Sequence, residues 1–287
     1  MIYLLLSILS STVIFITFKV TERFKTNLVN LITINYLAAA ILGFSFNRQS
    51  FSIPGLFSSD WILYALIIGV SYILMFFLMG YSVRKSGMAV TTIAGKLSMV
   101  IPILFSVMYF GEKVNTLKIA GLTLAIAAVL LTSYRPVGKA KNIVLIALPL
   151  AIFVGTGITD SLVKYAQSYH VSNRISLLFS SVVFLSALIS GLLFILLKPK
   201  SSSKTITLPE LIGGVVLGIA NFGSLYFFIL TLNNSKLDSS IVFGLNNMCI
   251  VLFSILIGWT LFKEKFSNTN FAGVIMAFIA ILILMNF

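Results

Sequence analysis

The chain has 287 residues, of which 59% are hydrophobic and only 9% are charged. Soluble globular domains carry roughly 25% charged residues, so this composition excludes an ordinary soluble protein and predicts an integral membrane protein. The mean hydropathy of +1.09 agrees with that class. The net charge of +13 comes from short basic clusters between apolar runs. Such clusters are typical of membrane topology signals, and we expect no nucleic-acid partner.

Ten apolar runs follow one another along the chain, each close to the length of about 20 residues that a membrane-spanning helix needs. In chain order they are Ile2–Phe18, Asn27–Phe46, Trp61–Tyr81, Met88–Phe110, Leu117–Tyr134, Ile143–Ala166, Ile175–Leu197, Leu211–Leu232, Ser239–Phe262 and Phe271–Phe287. The connections between them are too short for a soluble domain, the longest being Asn47–Asp60 and Lys198–Glu210. The sequence therefore predicts an all-α integral membrane fold of ten transmembrane helices in a lipid bilayer.

An internal repeat relates the two halves of the chain. After a shift of 152 residues, Glu112-Lys113 falls on Glu264-Lys265, and Ala120-Gly121 falls on Ala272-Gly273. We therefore predict two five-helix repeats, residues 1–137 and 138–287. Because five is odd, the repeats must have opposite orientations in the membrane, and inverted repeats of this kind are typical of secondary transporters. A duplicated bundle without transport activity is the alternative.

Small residues four positions apart recur in the predicted helices. The pairs are Gly121/Ala125, Gly273/Ala277, Gly214/Gly218 and Ala187/Gly191. Small residues let helices approach closely in lipid, so we interpret all four pairs as packing contacts. Those of the fifth and tenth helices could pack against each other or across a homodimer.

These features resemble the drug/metabolite transporter superfamily, specifically its EamA-type ten-helix branch. The matching stretches are Pro102–Gly121 and Ser254–Gly273, and Lys19 and Lys164 resemble a lysine that recurs in the family. The resemblance implies a membrane transporter. It does not imply a substrate, because members carry amino acids, sugars, nucleotide derivatives and drugs. Ser254 stands where the first repeat has Pro102, so any hinge at this position is asymmetric.

Lys96 is the clearest candidate for a functional residue inside a predicted span. It lies about eight residues, or about 12 Å, into the fourth apolar run. A charge at the centre of a bilayer costs about 2.5–3.5 kcal/mol on insertion scales. We expect Lys96 to line a cavity and to pair with a carboxylate or a substrate anion. A structural ion pair, or a side chain that reaches the membrane surface, is the alternative.

Asp160 is the only acidic residue well inside a predicted span, about 9 Å from the end of the sixth. One interpretation is an ion pair with Lys96 that the substrate breaks. Another is proton coupling through Asp160, because burial favours the neutral form of a carboxyl group. A third is a local contact with Lys164.

Uncharged polar residues complete the predicted substrate site. The candidates are Tyr72, Asn35, Asn221, Asn246 and Asn247. In the shifted alignment Asn247 falls on Gly95, beside Lys96, so the ninth helix should place an amide where the fourth places its cation. Hydrogen bonding between helices is the alternative for each asparagine. We expect the repeated Glu112 and Glu264 to have a structural role at helix ends.

The sequence offers little for catalysis, because it contains one cysteine and one histidine. We predict no enzyme activity, no catalytic residues, no metal site and no cofactor. The basic residues of the connections divide into thirteen on one side of the membrane and six on the other. The positive-inside rule places the richer side in the cytoplasm and both termini outside, whereas several ten-helix relatives have their termini inside.

We therefore expect a multi-pass secondary transporter of the cell inner (plasma) membrane that carries a small polar or zwitterionic, amino-acid-like molecule. It would work by alternating access, coupled to protons or to exchange. The alternatives are a cationic drug exporter, against which Lys96 argues, and a membrane scaffold or lipid-handling subunit without transport activity.

Overall fold

The computed structural model describes residues 2–47, 50–110, 116–133, 143–197, 206–234, 239–265 and 267–284. Within these ranges the chain is helical and forms no strand. The α-helices are α1 (Ile2–Glu22), α2 (Leu28–Phe46), α3 (Ile53–Phe57), α4 (Ile62–Lys85), α5 (Met88–Leu97), α6 (Val100–Phe110), α7 (Thr116–Ser133), α8 (Ile143–Tyr169), α9 (Ser176–Leu197), α10 (Leu208–Asn234), α11 (Ser239–Thr260) and α12 (Asn268–Leu284).

Seven helical segments in the described ranges are long and apolar enough to cross a membrane. They are α1, α2, α4, the α5–α6 pair, α8, α9 and α10. Three further apolar segments are shorter, namely Ile119–Thr132 in α7, Leu245–Thr260 in α11 and Asn268–Ile283 in α12. The all-helical membrane fold is thus confirmed, whereas the count of ten spans stays a prediction.

Two predicted regions differ in detail from the structure. The fourth apolar run, Met88–Phe110, is interrupted and forms two helices, α5 and α6. The connection Asn47–Asp60 contains the short helix α3, which begins after Ser52, whose hydroxyl accepts a hydrogen bond from the Gly55 N–H. A side chain that binds a free N–H at a helix start is a common N-terminal cap.

One end of the bundle, which we call the basic face, is the end where α1 finishes and α2 begins. Arg84, at the end of α4, donates to the Thr26 carbonyl at 2.8 Å and so joins α4 to the α1–α2 turn. Asn270 of α12 donates to the Thr132 carbonyl of α7 at 2.9 Å. Lys19, Lys85 and Lys265 also lie at this end of the bundle.

The opposite end, which we call the aromatic face, carries a cluster of rings. Tyr64, at the start of α4, stacks on His170 at a centroid distance of 4.8 Å and packs on Tyr165 at 5.5 Å. Tyr109, near the end of α6, packs on Tyr165 at 5.6 Å. Rings with polar edges are favoured at the boundary between lipid and water, which places this face at a membrane surface.

The long helices form two groups. The first group contains α1, α10 and α11, which pack against one another, and the second contains α4, α5, α6 and α8. Helices α2 and α9 pack together and join the groups, since α2 packs on α10 and α9 packs on α4. Helices α7 and α12 form a pair that lies against α5.

Small residues allow the closest of these helix contacts, as the sequence predicted. A Cβ atom on Gly218 would lie 2.5 Å from the Asn35 carbonyl oxygen, so only glycine lets α10 approach the α2 backbone. A Cβ atom on Gly273 would lie 2.7 Å from the Thr132 nitrogen. The Ala-Gly stripe of α12 therefore packs on α7 of the same chain.

Glu210 supplies a buried connection between α2 and α10. Its carboxylate accepts hydrogen bonds from the Asn27 N–H at 2.8 Å, the Asn30 side-chain amide at 3.1 Å and the Thr207 N–H at 3.1 Å. The side chain is 5% exposed. Hydrogen bonds to charged groups contribute about 1.5–3 kcal/mol each, and they are not additive.

We predict that Glu210→Ala lowers the free energy of unfolding by about 2–4 kcal/mol, because two backbone donors and an amide lose their acceptor. Chemical unfolding of the purified protein in detergent measures this change. Glu22→Ala is the control, because the Glu22 carboxylate lies 2.9 Å from Lys19 in a pair that is partly exposed. Such pairs contribute about 0–1 kcal/mol. Equal losses in the two variants would contradict the role of Glu210.

Candidate functional site

The helix that carries Lys96 is interrupted in the middle of the bundle. Helix α5 ends at Leu97 and α6 begins at Val100, so Ser98 and Met99 separate them. Pro102 explains the break, because proline has no N–H for the Ser98 carbonyl and its ring clashes with that carbonyl in a regular helix. The Ser98 carbonyl instead accepts the Ile101 N–H at 2.9 Å.

The corresponding helix of the second half has no such break. Helix α11 continues from Ser239 to Thr260 and passes through Ser254, the residue that aligns with Pro102. The predicted asymmetry between the two halves is thus confirmed. Interrupted helices line the binding sites of many transporters, because their free ends supply polar groups.

Lys96 lies in the last turn of α5, next to this interruption. The residues from Met88 to Ala94 are all buried, so α5 is surrounded by protein rather than by lipid. Lys96 nevertheless remains partly exposed, and among the described residues it makes no ion pair within 4 Å. The helices that pack around α5 therefore place Lys96 inside the bundle.

Asp160 lies on the inner side of α8. The lipid side of this helix is marked by Ala151, Val154 and Ile158, which are exposed. Asp160 follows Ile158 by two residues, which is a rotation of about 200° around the helix axis. Asp160 is also partly exposed, so its accessible surface faces the interior, as that of Lys96 does.

The charges of Lys96 and Asp160 interact without touching. The electrostatic interaction joins the ammonium and the carboxylate, but their nitrogen and oxygen atoms are more than 4 Å apart. The closed ion pair that the sequence offered as one interpretation is thus not formed in this structure. Tyr72 of α4 also lies within electrostatic range of Asp160. The three predicted site residues Lys96, Asp160 and Tyr72 therefore border one region.

Helix α8 brings a further polar atom to this side. Thr156 lies one turn before Asp160 and therefore on the same face of α8. Its hydroxyl oxygen is buried and has no hydrogen-bond partner. The next threonine, Thr159, instead donates to the Gly155 carbonyl of its own helix at 2.8 Å.

Asn35 and Asn221 lie together in the contact between α2 and α10. The Asn221 side-chain amide donates to the Asn35 side-chain oxygen at 3.3 Å, and both residues are buried. This hydrogen bond matches the alternative interpretation, in which the asparagines join helices. The Asn35 amide nitrogen has no partner, so the pair is not fully satisfied.

Asn246 and Asn247 of α11 point to different neighbours. The Asn246 side-chain oxygen accepts the Ser7 hydroxyl of α1 at 3.2 Å. The Asn247 amide lies 3.4 Å from the sulfur of Met99, at the break between α5 and α6. Asn247 therefore reaches the interruption next to Lys96, whereas Asn246 joins two helices of the first group. A binding role for either asparagine stays a prediction.

Sequence reasoning missed Tyr36. This residue of α2 is fully buried, its hydroxyl has no hydrogen-bond partner, and it interacts electrostatically with Tyr72. Its position directly after Asn35 was the available signal, but an aromatic residue in an apolar run usually packs in a core or faces lipid. The cluster of rings at the aromatic face was missed for the same reason.

Glu264, in the connection between α11 and α12, caps the helix of Lys96. Its carboxylate accepts the Met88 N–H at 2.6 Å and the Ala89 N–H at 3.4 Å, at the start of α5. A negative charge is favourable at the N-terminus of a helix. Gly87 precedes α5 with a φ of 103°, and a Cβ atom there would lie 3.0 Å from the Glu264 carboxylate. The expected helix-end role of Glu264 is confirmed, while Glu112 and Lys113 lie outside the described residues.

The described residues contain no group of three or more histidine, cysteine, aspartate or glutamate side chains that could hold a metal ion. The polar groups of this region are the Lys96 ammonium, the Asp160 carboxylate and several hydroxyls and amides. Such a set can bind a small molecule that carries both a negative and a positive group.

Residues 1–134 match the sequence profile of the EamA-like transporter family. The resemblance to the drug/metabolite transporter superfamily is thereby confirmed for these residues, and it indicates a membrane transporter of that type. Together with the seven long apolar helices, the match makes the chain a multi-pass membrane protein.

The similarity to other proteins extends over the whole chain. An uncharacterized protein of Haemophilus influenzae is 27% identical over 287 aligned residues, which cover 97% of this chain and 95% of that protein. A crystal structure of a protein that shares 15% sequence identity superposes with a TM-score of 0.64, and the match covers 98% of this chain and 94% of that protein. At that identity the structural likeness shows a shared fold alone.

We predict that the space beside Asp160 is open to water. Replacing Cys249, the one cysteine of the chain, with alanine gives a background for single-cysteine variants. Asp160→Cys should react with a charged, membrane-impermeant thiol reagent, because Asp160 is accessible on the inner side of α8. Mass spectrometry of the protein in proteoliposomes measures the modified fraction.

Two control positions on the same helix define the outcome. Ile158→Cys places the thiol against lipid, and Ile152→Cys places it in a fully buried position. Neither should react at the rate of Asp160→Cys. Equal modification of all three positions would show that the reaction does not report water access at Asp160, and no modification of Asp160→Cys would show that the region around it holds no accessible water; either result would contradict the prediction.

Proposed function

We propose that the protein is a secondary active transporter of a small polar or zwitterionic molecule, amino-acid-like by preference, in the plasma membrane. It works by alternating access, coupled to protons or to exchange. One observation carries the proposal: Lys96 and Asp160 lie within electrostatic range of each other, beside an interrupted helix, without forming a closed ion pair.

A zwitterion fits the charges of this region. The carboxylate of an amino acid pairs with the Lys96 ammonium, and its ammonium group pairs with the Asp160 carboxylate. Each charge costs about 2.5–3.5 kcal/mol at the centre of a bilayer on insertion scales. A ligand that supplies both counter-charges offsets part of that cost, which favours a molecule with two charges over one with a single charge.

Polar neighbours support recognition of the rest of the substrate. Tyr72 and Thr156 offer hydroxyl groups from α4 and α8, and Asn247 offers an amide from α11. Asn35, Asn221 and Asn246 contribute mainly by fixing the helices around the site. This chemistry requires no cofactor, no metal and no catalytic residue.

Alternating access follows from the proposed repeats, residues 1–137 and 138–287, each with five membrane-crossing helices. The helix contacts support this division, because several of them occur in matched pairs. The contact of α1 with α10 corresponds to that of α8 with α4, and the contact of α2 with α10 corresponds to that of α9 with α4. Contacts of α1 with α11 correspond to contacts of α8 with α5 and α6.

A difference between matched contacts supports a structure that is closed at the basic face. Helices α1 and α4 meet there, with the Phe18 and Phe76 rings 6.0 Å apart and Lys19 donating to the Val83 carbonyl at 3.5 Å. The corresponding helices α8 and α10 do not pack substantially on each other in their described residues. The substrate path in this state therefore leads toward the aromatic face.

Helix α5 is suited to act as the moving element of the basic face. It is held at its N-terminus by Glu264 and bounded at its other end by the break at Ser98 and Met99. Opening the basic face would release Met88 and Ala89 from Glu264 and turn α5 about this break. Lys96 lies next to the break, so the same motion would change its surroundings.

Asp160 gives the proposed site a route to proton coupling. Protonation removes the negative charge that attracts the substrate ammonium, so proton binding and substrate binding compete at one carboxyl group. If the protein works as an exchanger, a second substrate molecule takes the place of the proton. Both modes use the same residue and the same partly open space beside it.

We predict that Lys96→Ala lowers amino-acid flux about 30-fold or more while the protein still folds and inserts, because truncation of one partner of a charged contact costs about 2–5 kcal/mol. Proteoliposomes that contain the purified protein are tested against each of the twenty radiolabelled protein amino acids. Size-exclusion chromatography and thermal unfolding check the fold of the variant.

The control is Lys263→Ala, which removes an exposed lysine at the basic face. It should leave the flux within about twofold of that of the unaltered protein, since exposed charges contribute little. Undiminished flux in Lys96→Ala would refute the role of Lys96. Absence of flux for all twenty amino acids in the unaltered protein would refute the proposed substrate class.

A further inference from the structure

A cavity lies outside the region of Lys96 and Asp160. It has a volume of about 200 Å³ and opens at the basic face. Its walls come from opposite sides of the closed contact: α1 supplies Lys19, α4 supplies Arg84 and Lys85, and the α11–α12 connection supplies Glu264 and Lys265. We call this cavity the basic pocket.

The basic pocket carries a surplus of positive charge. Its lining contains four basic side chains and one carboxylate, that of Glu264. This carboxylate already accepts the Met88 and Ala89 N–H groups. Lys19 is paired with Glu22 at 2.9 Å, and Arg84 is held by the Thr26 carbonyl. The charged groups of Glu264, Lys19 and Arg84 therefore already have partners within the protein.

Lys85 and Lys265 differ from the other basic residues of the pocket. In the described part of the chain, neither has a carboxylate within 4 Å. The Lys85 ammonium lies 6.0 Å from the Tyr81 ring, which stabilises a cation without neutralising it. Two ammonium groups are thus available to a ligand at the mouth of the pocket.

Membrane topology alone does not explain this arrangement. The positive-inside rule favours basic residues at this face, and Lys25 and Lys263 satisfy it as exposed residues outside the pocket. Lys85 and Lys265 instead border a cavity with room for roughly six or seven water molecules, at about 30 Å³ each. That space accommodates a carboxylate or phosphate group together with part of its hydration shell.

We propose that the basic pocket binds an oxyanion group, a carboxylate or a phosphate, through the ammonium groups of Lys85 and Lys265. The group belongs either to a soluble anion or to the headgroup of an anionic lipid at this membrane surface. Because the walls come from α4 and α5 on one side and from α1 and the α11–α12 connection on the other, the bound group joins both sides. Binding therefore stabilises the closed basic face.

Thermal unfolding of the purified full-length protein in a neutral detergent tests this proposal without any measurement of flux. Sodium phosphate is titrated against sodium chloride at the same ionic strength. Phosphate should raise the Tm of the unaltered protein. The double variant Lys85→Gln/Lys265→Gln should need about tenfold more phosphate for the half-maximal shift, as expected when two charged contacts are lost.

The matched control is Lys25→Gln/Lys263→Gln, which removes the same charge from the same face but leaves the pocket intact. It should retain the phosphate response of the unaltered protein. A second arm compares nanodiscs of phosphatidylglycerol with nanodiscs of phosphatidylcholine. Stabilisation by phosphatidylglycerol alone, lost only in the pocket variant, identifies a lipid headgroup, whereas a response to phosphate identifies a soluble oxyanion.

Two results would overturn the proposal. The first is the absence of any Tm shift with both phosphate and phosphatidylglycerol. The second is an equal loss of the response in the two double variants, which would assign it to the general charge of the basic face. Binding at this pocket is independent of the transported substrate, so either result leaves the proposed transport function standing.

Discussion

Two opposite charges held apart in the interior of a membrane bundle are the feature on which the proposed function depends. Lys96 and Asp160 interact through space, yet their charged atoms remain more than 4 Å apart. A closed pair would offset much of the cost of placing two ions away from bulk water. In the open arrangement this cost is not compensated in the unliganded protein. A ligand with two charged groups can offset it on binding.

The neighbouring helices hold this arrangement in place. Pro102 breaks the helix after Lys96, and Glu264 fixes the other end of α5 through the Met88 and Ala89 N–H groups. Lys96 therefore belongs to a short helix with defined ends, rather than to a continuous span. Asp160 lies on α8, which packs on both α5 and α6. A change at either end of α5 would alter the distance between the two charges.

The sequence was sufficient to predict the class of fold and the most polar residues inside the helices. Lys96 and Asp160 stand out because charges are rare within apolar runs, and a rare costly residue indicates either a partner or a function. The contrast between Pro102 and Ser254 correctly predicted that the two helices differ at this position, because the effect of proline on a helix is local. The break itself, within the single predicted span Met88–Phe110, was not predicted. The small residues of α10 and α12 correctly predicted close packing.

Properties that depend on distant contacts could not be predicted in the same way. Asn221 and Asn246 were equally suited to substrate binding and to helix contacts, and only the neighbours Asn35 and Ser7 separate these roles. The repeat indicated that Glu264 matters at a helix end, but the identity of that helix follows from the packing of α11 and α12 on α5. Tyr36 looked like any other ring in an apolar run.

The double variant Lys96→Met/Asp160→Asn tests whether the two separated charges serve transport, because it removes both charges and leaves neither unpaired. The free energy of unfolding and the amino-acid flux are measured on the same preparation. We expect a protein at least as stable as the unaltered one, since replacing buried charges by neutral groups is often neutral or stabilising, with no flux. Flux close to that of the unaltered protein would contradict the proposed function, because it would show that transport does not require the charges of Lys96 and Asp160.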